Sequence, residues 1–121
     1  MREILFRGKA IDDNWYYGVP FVFTEDYVCM TAPHTYNKTV IPETIGQYTG
    51  LIDKNGKKIF EGDIVKTRHW NGVIEWCDFD ASFVVRCVGT FVTLNTLAGH
   101  AELEVIGNIP DNPELLKGGA E

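Results

Sequence analysis

Little in this chain offers a catalytic nucleophile. It has a single serine, Ser82, with no Gly-x-Ser-x-Gly frame around it. The three histidines, His34, His69 and His100, lie far apart and form no HxH or HxxxH pair. A closed zinc site normally needs four ligands, so no metal site is expected. The three cysteines, Cys29, Cys77 and Cys87, form no CxxC motif and make an odd count. Cys77 and Cys87 fall in neighbouring candidate strands and can approach each other, but one such contact makes no site. "GLIDKNGKK" lacks both the Walker spacing and the Lys-Ser/Thr ending of a phosphate loop. The acid pairs Asp12-Asp13 and Glu25-Asp26 fall at turns, where solvated carboxylates are common. Paired carboxylates of the glycosidase kind can still come from distant positions. No apolar run approaches the roughly 20 residues that cross a bilayer. The opening "MREILFRGK" has charges on both sides of a short apolar stretch, unlike a secretory signal. The thiols are therefore expected reduced, in cytoplasm, packed as small hydrophobes. Together these absences disfavour an enzyme, a cofactor, a metal and a membrane. No recognisable active site stands in their place.

What is present is the composition of an ordinary soluble domain. The 121 residues are 45% apolar and 23% charged, enough to bury a core as one compact unit or two small pieces sharing one. Aromatics reach 12%, and Val, Ile and Thr are frequent, which favours β-structure. The net charge of −6 disfavours non-specific attraction to nucleic acid or an anionic membrane. That charge is uneven: the balance is −3 over residues 1–53, +3 over 54–70 and −6 over 71–121. The one positive island coincides with "GLIDKNGKKIFEGDIVK" and its continuation.

The chain reads as short β-runs broken by turn formers. "EILFRGK", "WYYGVPFVF" and "DYVCM" are early strands. Pro20, lacking an N–H, predicts an edge or a strand end. "TAPHTYNKT", Thr31 to Thr39, reads as a loop and a joint, which sets an N-terminal β part at 1–42 and a second part at 43–121. Asn55-Gly56 and Asn71-Gly72 are read as type I′ hairpin turns, since both residues tolerate positive φ. Asp63 starts a strand after the Glu61-Gly62 bend. "SFVVRCVGTFVTL" follows, then "ELEVIGNI", in which Leu103, Val105 and Ile109 share one face and Glu102 and Glu104 point away. Strands at this spacing suggest a small closed barrel, since closure removes edges. Pro113 after Asp111 or Asn112 predicts a short C-terminal helical turn.

"LFRGK", "WYYG", "TIGQYTGLIDKNGKKIFEGDIV" and "EVIGNIPDNPELL" resemble the signature blocks of the YopX family, small proteins of phages and prophages. The resemblance touches both ends and the middle of the chain, and leaves Val19 to Pro42 and Thr67 to Ala101 outside any block. It implies a C-terminal SH3-like β-barrel preceded by a smaller N-terminal part. It implies a phage or prophage setting in bacterial cytoplasm, and carries no activity to any position.

One constellation stands out as a candidate binding site. Lys54, Lys57 and Lys58 flank the first Asn-Gly, and Lys66, Arg68 and Trp70 alternate, so that a regular strand places them on one face. Cations beside an exposed aromatic can hold a phosphate backbone or a stacked base. The plainer reading has Trp70 packed on the rim and the cations solvated. The acids of the C-terminal half, from Glu75 to Glu114, give a negative surface that either keeps the chain soluble or lets it stack with itself or engage a basic host protein. Two small subdomains have little core each, so self-association is expected to add buried area. The leading expectation is therefore a non-enzymatic interaction module that binds itself and a host or phage protein. A nucleic-acid-binding barrel using Lys57, Lys58, Lys66, Arg68 and Trp70 is the alternative.

Overall fold

The computed structural model describes residues 4–23, 28–32, 35–67, 70–79, 81–87, 90–93 and 103–115. Their regular structure is almost entirely antiparallel β-strand, and the chain forms two compact units, Met1–Tyr48 and Thr49–Glu121.

The first unit contains β1 (Phe6–Lys9), β2 (Trp15–Phe23), β3 (Val28–Ala32) and β4 (Thr35–Val40), followed by a 3-10 turn at Pro42–Thr44. The strands lie in the order β4-β3-β2-β1, and β5 (Gly46–Ile52) starts beside β1, with Gly46 opposite Arg7. Asp13 adopts φ 67 between β1 and β2, a left-handed conformation that a short polar side chain tolerates. Phe6, Tyr16 and Ile45 pack against the buried Ala10, Val28, Met30 and Val40. Val40 rests directly on Gly8, where an added Cβ would lie 2.7 Å from its Cγ2.

Two expectations fail here for physical reasons. Pro20 does not mark an edge, because β2 runs between β1 and β3. The register shifts between Pro20 and Val22, and this bulge accommodates the missing N–H inside the sheet. Nor is Thr31 to Thr39 a loop throughout: Thr31 and Ala32 end β3, and Thr35 to Thr39 lie in β4. Pairing with β3 gives this turn-forming composition a ladder, and the ladder overrides local preference. Pro33 and His34 lie outside the described residues.

In the second unit, the outer half of β5 lies next to β6 (Lys58–Phe60). β7 (Asp63–Lys66), β8 (Asn71–Cys77), β9 (Ser82–Cys87), β10 (Thr90–Thr93) and β11 (Glu104–Asn108) form a five-stranded sheet in the order β10-β9-β8-β7-β11. Ile59 of β6 joins Val65, Ile74, Val85 and Leu103 in one buried cluster, with Leu51, Trp70, Phe83 and Val105 packed on it. The β5–β6 hairpin thus lies over one face of the sheet. Among the described residues no ladder joins β10 to β11, so the ring of strands expected from the turn spacing is left open. The antiparallel β character stands; closure does not.

The two Asn-Gly steps behave differently from each other, and neither is type I′. At the first, the Gly56 amide donates to the Asp53 carbonyl at 3.0 Å and the Asp53 amide to the Lys57 carbonyl at 2.8 Å. Gly56 alone has positive φ, at 82. This is a three-residue loop: an ordinary turn followed by a glycine bulge. The second step forms no turn at all. Asn71 and Gly72 lie in β8, opposite Lys66 and Val65, and the chain reverses between Thr67 and Trp70, whose amide-to-carbonyl bond is 2.8 Å. Gly72 is there for room: a Cβ would meet Val85 Cγ1 at 2.6 Å and the Arg86 carbonyl oxygen at 3.0 Å.

The Glu61-Gly62 bend and the strand start at Asp63 appear as expected, with Gly62 at φ 91. Leu103 is buried and Val105 packs on the core, but the bulge between Val105 and Gly107 turns Ile109 outward. Glu114 and Leu115 form the helical turn after Pro113. No helix among the described residues is long and apolar enough to cross a membrane.

Candidate functional site

The cationic hairpin is held by one carboxylate. Asp53, with 6% of its surface exposed, accepts the Asn55 and Lys57 amides on Oδ1 at 2.9 and 2.8 Å, and the Val105 amide on Oδ2 at 2.9 Å. Burial pushes this carboxyl up, but the amides of Val105, Lys57 and Asn55, with the Lys57 charge, hold it below the ordinary aspartate value. Asp63 has a similar local role: its Oδ2 accepts the Phe60 amide at 2.7 Å across the bend. Both carboxylates are committed to backbone, which makes them architectural.

The structure scatters the candidate cations. Lys57 and Lys58 are exposed at the hairpin. Lys54 Nζ lies 3.7 Å from Glu104 Oε1. Lys66 is exposed at the end of β7, opposite Asn71, while Val65 and Gly72 occupy the core face. Trp70 is half-buried against that core, with Cζ3 3.1 Å from where a Gly72 Cβ would stand. Lys66 and Trp70 therefore lie on opposite faces, on two limbs of a hairpin, because the chain reverses between them. Arg68 and His69 lie outside the described residues, as do His100 and the Glu25-Asp26 pair.

Cys77 pairs with Ser82 and Cys87 with Thr90, so the two thiols sit at opposite ends of the β8–β9 ladder and do not meet. All three cysteines are free and partly exposed. Among the described residues no three His, Cys, Asp or Glu gather to hold a metal ion.

Two surfaces went unread in the sequence. On β2, Trp15 and Tyr17 pair with Lys9 and Arg7, so Trp15, Tyr17 and Val19 share the face opposite Tyr16, which packs on the core. Tyr17, Val19 and the bulge residue Phe21 are 45, 44 and 46% exposed. Arg7 lies 4.7 Å from the Trp15 ring centroid and stiffens one end of this row. The signal was available as alternate large apolar residues in "WYYGVPFVF", but both phases of that strand are apolar and only pairing tells them apart.

At the rim of the same unit, Asp12 accepts the Tyr16 hydroxyl at 2.8 Å and the Asn14 amide at 3.0 Å, and Lys38 Nζ lies 3.6 Å away. The Asn14 amide first, then the Tyr16 hydroxyl, hold the Asp12 carboxyl below its usual value. Tyr16 and then Asp12 hold the Lys38 ammonium above its own.

The other surface is the turn end of the β8–β9 hairpin. Trp76 and Phe83 face each other across the ladder, rings 5.1 Å apart and nearly perpendicular at 76°. Trp76 is 45% exposed and Phe79, in the turn, 94%. The indole N–H of Trp76 donates to Asp78 Oδ1 at 2.7 Å. On the other face of the ladder Arg86 Nε donates to Glu75 Oε1 at 2.7 Å.

A family model described as "YopX protein" matches residues 6–117. No curated protein matches the chain. Among solved structures, the chain is similar to the crystal structure of protein EF1440 from Enterococcus faecalis. The two are 27% identical, the match covers 96% of this chain and 99% of that one, and the TM-score is 0.57.

Proposed function

The chain belongs to the YopX family, and from that premise we propose that it is a non-enzymatic protein-interaction module that self-associates. The observation that carries this reading is the Tyr17, Val19 and Phe21 row, three large side chains left about half exposed on one sheet. Ordinary single exposed apolar residues need no explanation, but a contiguous row costs solubility unless a partner covers it. Aromatic side chains at the centre of such a patch are the usual energetic anchors of an interface. The second unit, a hairpin laid over a five-stranded sheet, is read as an SH3-like barrel open between β10 and β11. A phage or prophage setting in bacterial cytoplasm is part of this proposal, and the resemblance of the sequence blocks supports it.

Light scattering at tens of micromolar tests this. A mass above one chain, reduced to one chain by Phe21→Asp or Val19→Asp, supports the reading. A single-chain mass for the unaltered protein overturns the self-association.

The nucleic-acid alternative rests on the exposure of Lys57, Lys58 and Lys66, with Arg68 as a further cation. Trp70, half-buried against the core, leaves it a smaller stacking surface. Single-stranded DNA binding that falls steeply with salt and weakens with Lys57→Ala or Lys66→Ala would favour it.

A further inference from the structure

We infer that the turn end of the β8–β9 hairpin, built from Trp76, Asp78 and Phe79, docks an arginine-bearing extended segment of a partner protein.

Trp76 continues the core row of β8, which runs Gly72, Ile74, Trp76 on one face. Ile74 is fully buried there, while Trp76, one step further along, overruns the core and stands 45% exposed. Its ring is not free to turn away. The edge-to-face contact with Phe83 supports one side, and the bond from the indole N–H to Asp78 fixes the rotation about the long axis. A large aromatic ring is thus held rigid with an open surface, which lowers the ordering cost of binding.

Asp78 supplies the second half of the chemistry. One carboxylate oxygen takes the indole N–H at 2.7 Å, so a negative charge sits at the ring edge, exposed. An aromatic face with a carboxylate at its rim matches a guanidinium, which stacks on the ring and donates in-plane hydrogen bonds to the oxygens. Lysine, a compact, strongly hydrated charge, matches this geometry less well. The cation on this hairpin, Arg86, does not compete, because it is bound to Glu75 on the opposite face of the ladder. Phe79, next to Asp78 in the turn and 94% exposed, offers a further apolar side chain for the stem of the incoming chain. Residues 71–121 carry a sequence charge of −6, so this part of the chain attracts a basic segment in preference to an acidic one.

This surface belongs to the second unit and the β2 row to the first, so the inference extends the proposed module by a partner and does not depend on its self-association. The test is an amide NMR titration with an acetylated, amidated Gly-Arg-Gly-Arg-Gly peptide, with light scattering on the same samples. Shifts centred on Trp76 to Phe83, weakened about tenfold by Asp78→Asn and several-fold by Trp76→Leu, are expected. The same peptide with Glu in place of Arg should leave the spectrum unchanged. Should Trp76→Leu fail to fold, Asp78→Asn decides, because its side chain is exposed. Equal binding of the Glu peptide, no shift near Trp76, or an oligomer that dissolves in Asp78→Asn overturns the inference, the last by making the surface a self-contact. A single-chain mass together with intact peptide binding sinks the self-association alone.

Discussion

Asp53 and Val105, far apart in the chain, are joined by a 2.9 Å hydrogen bond from the Val105 amide to the Asp53 carboxylate. The same carboxylate closes its own loop through the amides of Asn55 and Lys57, so one side chain ties the β5–β6 hairpin to β11. Replacing it leaves three backbone donors without their acceptor. Asp53→Ala should lower stability by about 3 kcal/mol, read as a fall in the urea midpoint with unchanged slope.

The same residue makes an acid-sensitive contribution. Its folded carboxyl is held below the ordinary value, so the stabilisation is complete above the unfolded aspartate pKa, roughly 4. It is lost as the pH falls through the depressed folded value. Urea unfolding of the unaltered protein and of Asp53→Asn should differ by a constant amount from pH 5 to 8. The gap should narrow in more acidic solution.

Glycines 62 and 72 should separate backbone strain from crowding. Gly62 has φ 91 with nothing within 4 Å of an added Cβ, so Gly62→Ala should cost about 1 kcal/mol, from conformation alone. Gly72 has no positive φ, but its Cβ would strike Val85 and the Arg86 carbonyl oxygen. Gly72→Ala should cost roughly 2–3 kcal/mol by overpacking, and should shift the fluorescence of the adjoining Trp70.

Ala81 offers the opposite experiment. Its φ of 51 places an ordinary side chain in the left-handed region. Ala81→Gly should relieve that strain at some entropic cost, for a net gain of about 0.5 kcal/mol. Thermal unfolding should show a rise of a few degrees without change in the peptide response of Trp76.

The fold was legible where the signal is local. The β content, the Asn55-Gly56 hairpin, the Glu61-Gly62 bend and the strands on either side of it follow from composition and turn chemistry. What misled was permissive chemistry taken as directive. Asn-Gly can turn, but Gly72 is needed because Val85 leaves no space. Pro20 should end a strand, but a bulge absorbs it. Thr31 to Thr39 reads as loop, but pairing with a neighbour supplies the hydrogen bonds its composition does not predict. The candidate site fared similarly. Exposed Lys57 and Lys58 were legible as tip residues, whereas the separation of Lys66 from Trp70 depends on where the chain reverses. The β2 row and the Trp76 surface depend on which phase of an apolar strand faces the core, and that is settled by strands distant in sequence.

The unequal treatment of the two Asn-Gly steps bears on how this protein ages. Deamidation requires the glycine nitrogen to swing onto the asparagine side-chain carbonyl and close a succinimide ring. Asn71 and Gly72 are pinned in register with Lys66 and Val65, which denies them that motion. Asn55 and Gly56 are exposed in a loop outside any strand ladder, their amides bonded to the Asp53 carboxylate and carbonyl. During mildly alkaline storage, isoaspartate should accumulate at Asn55 while Asn71 stays intact, so chemical wear would begin at the lysine-rich tip and spare the β7–β8 ribbon.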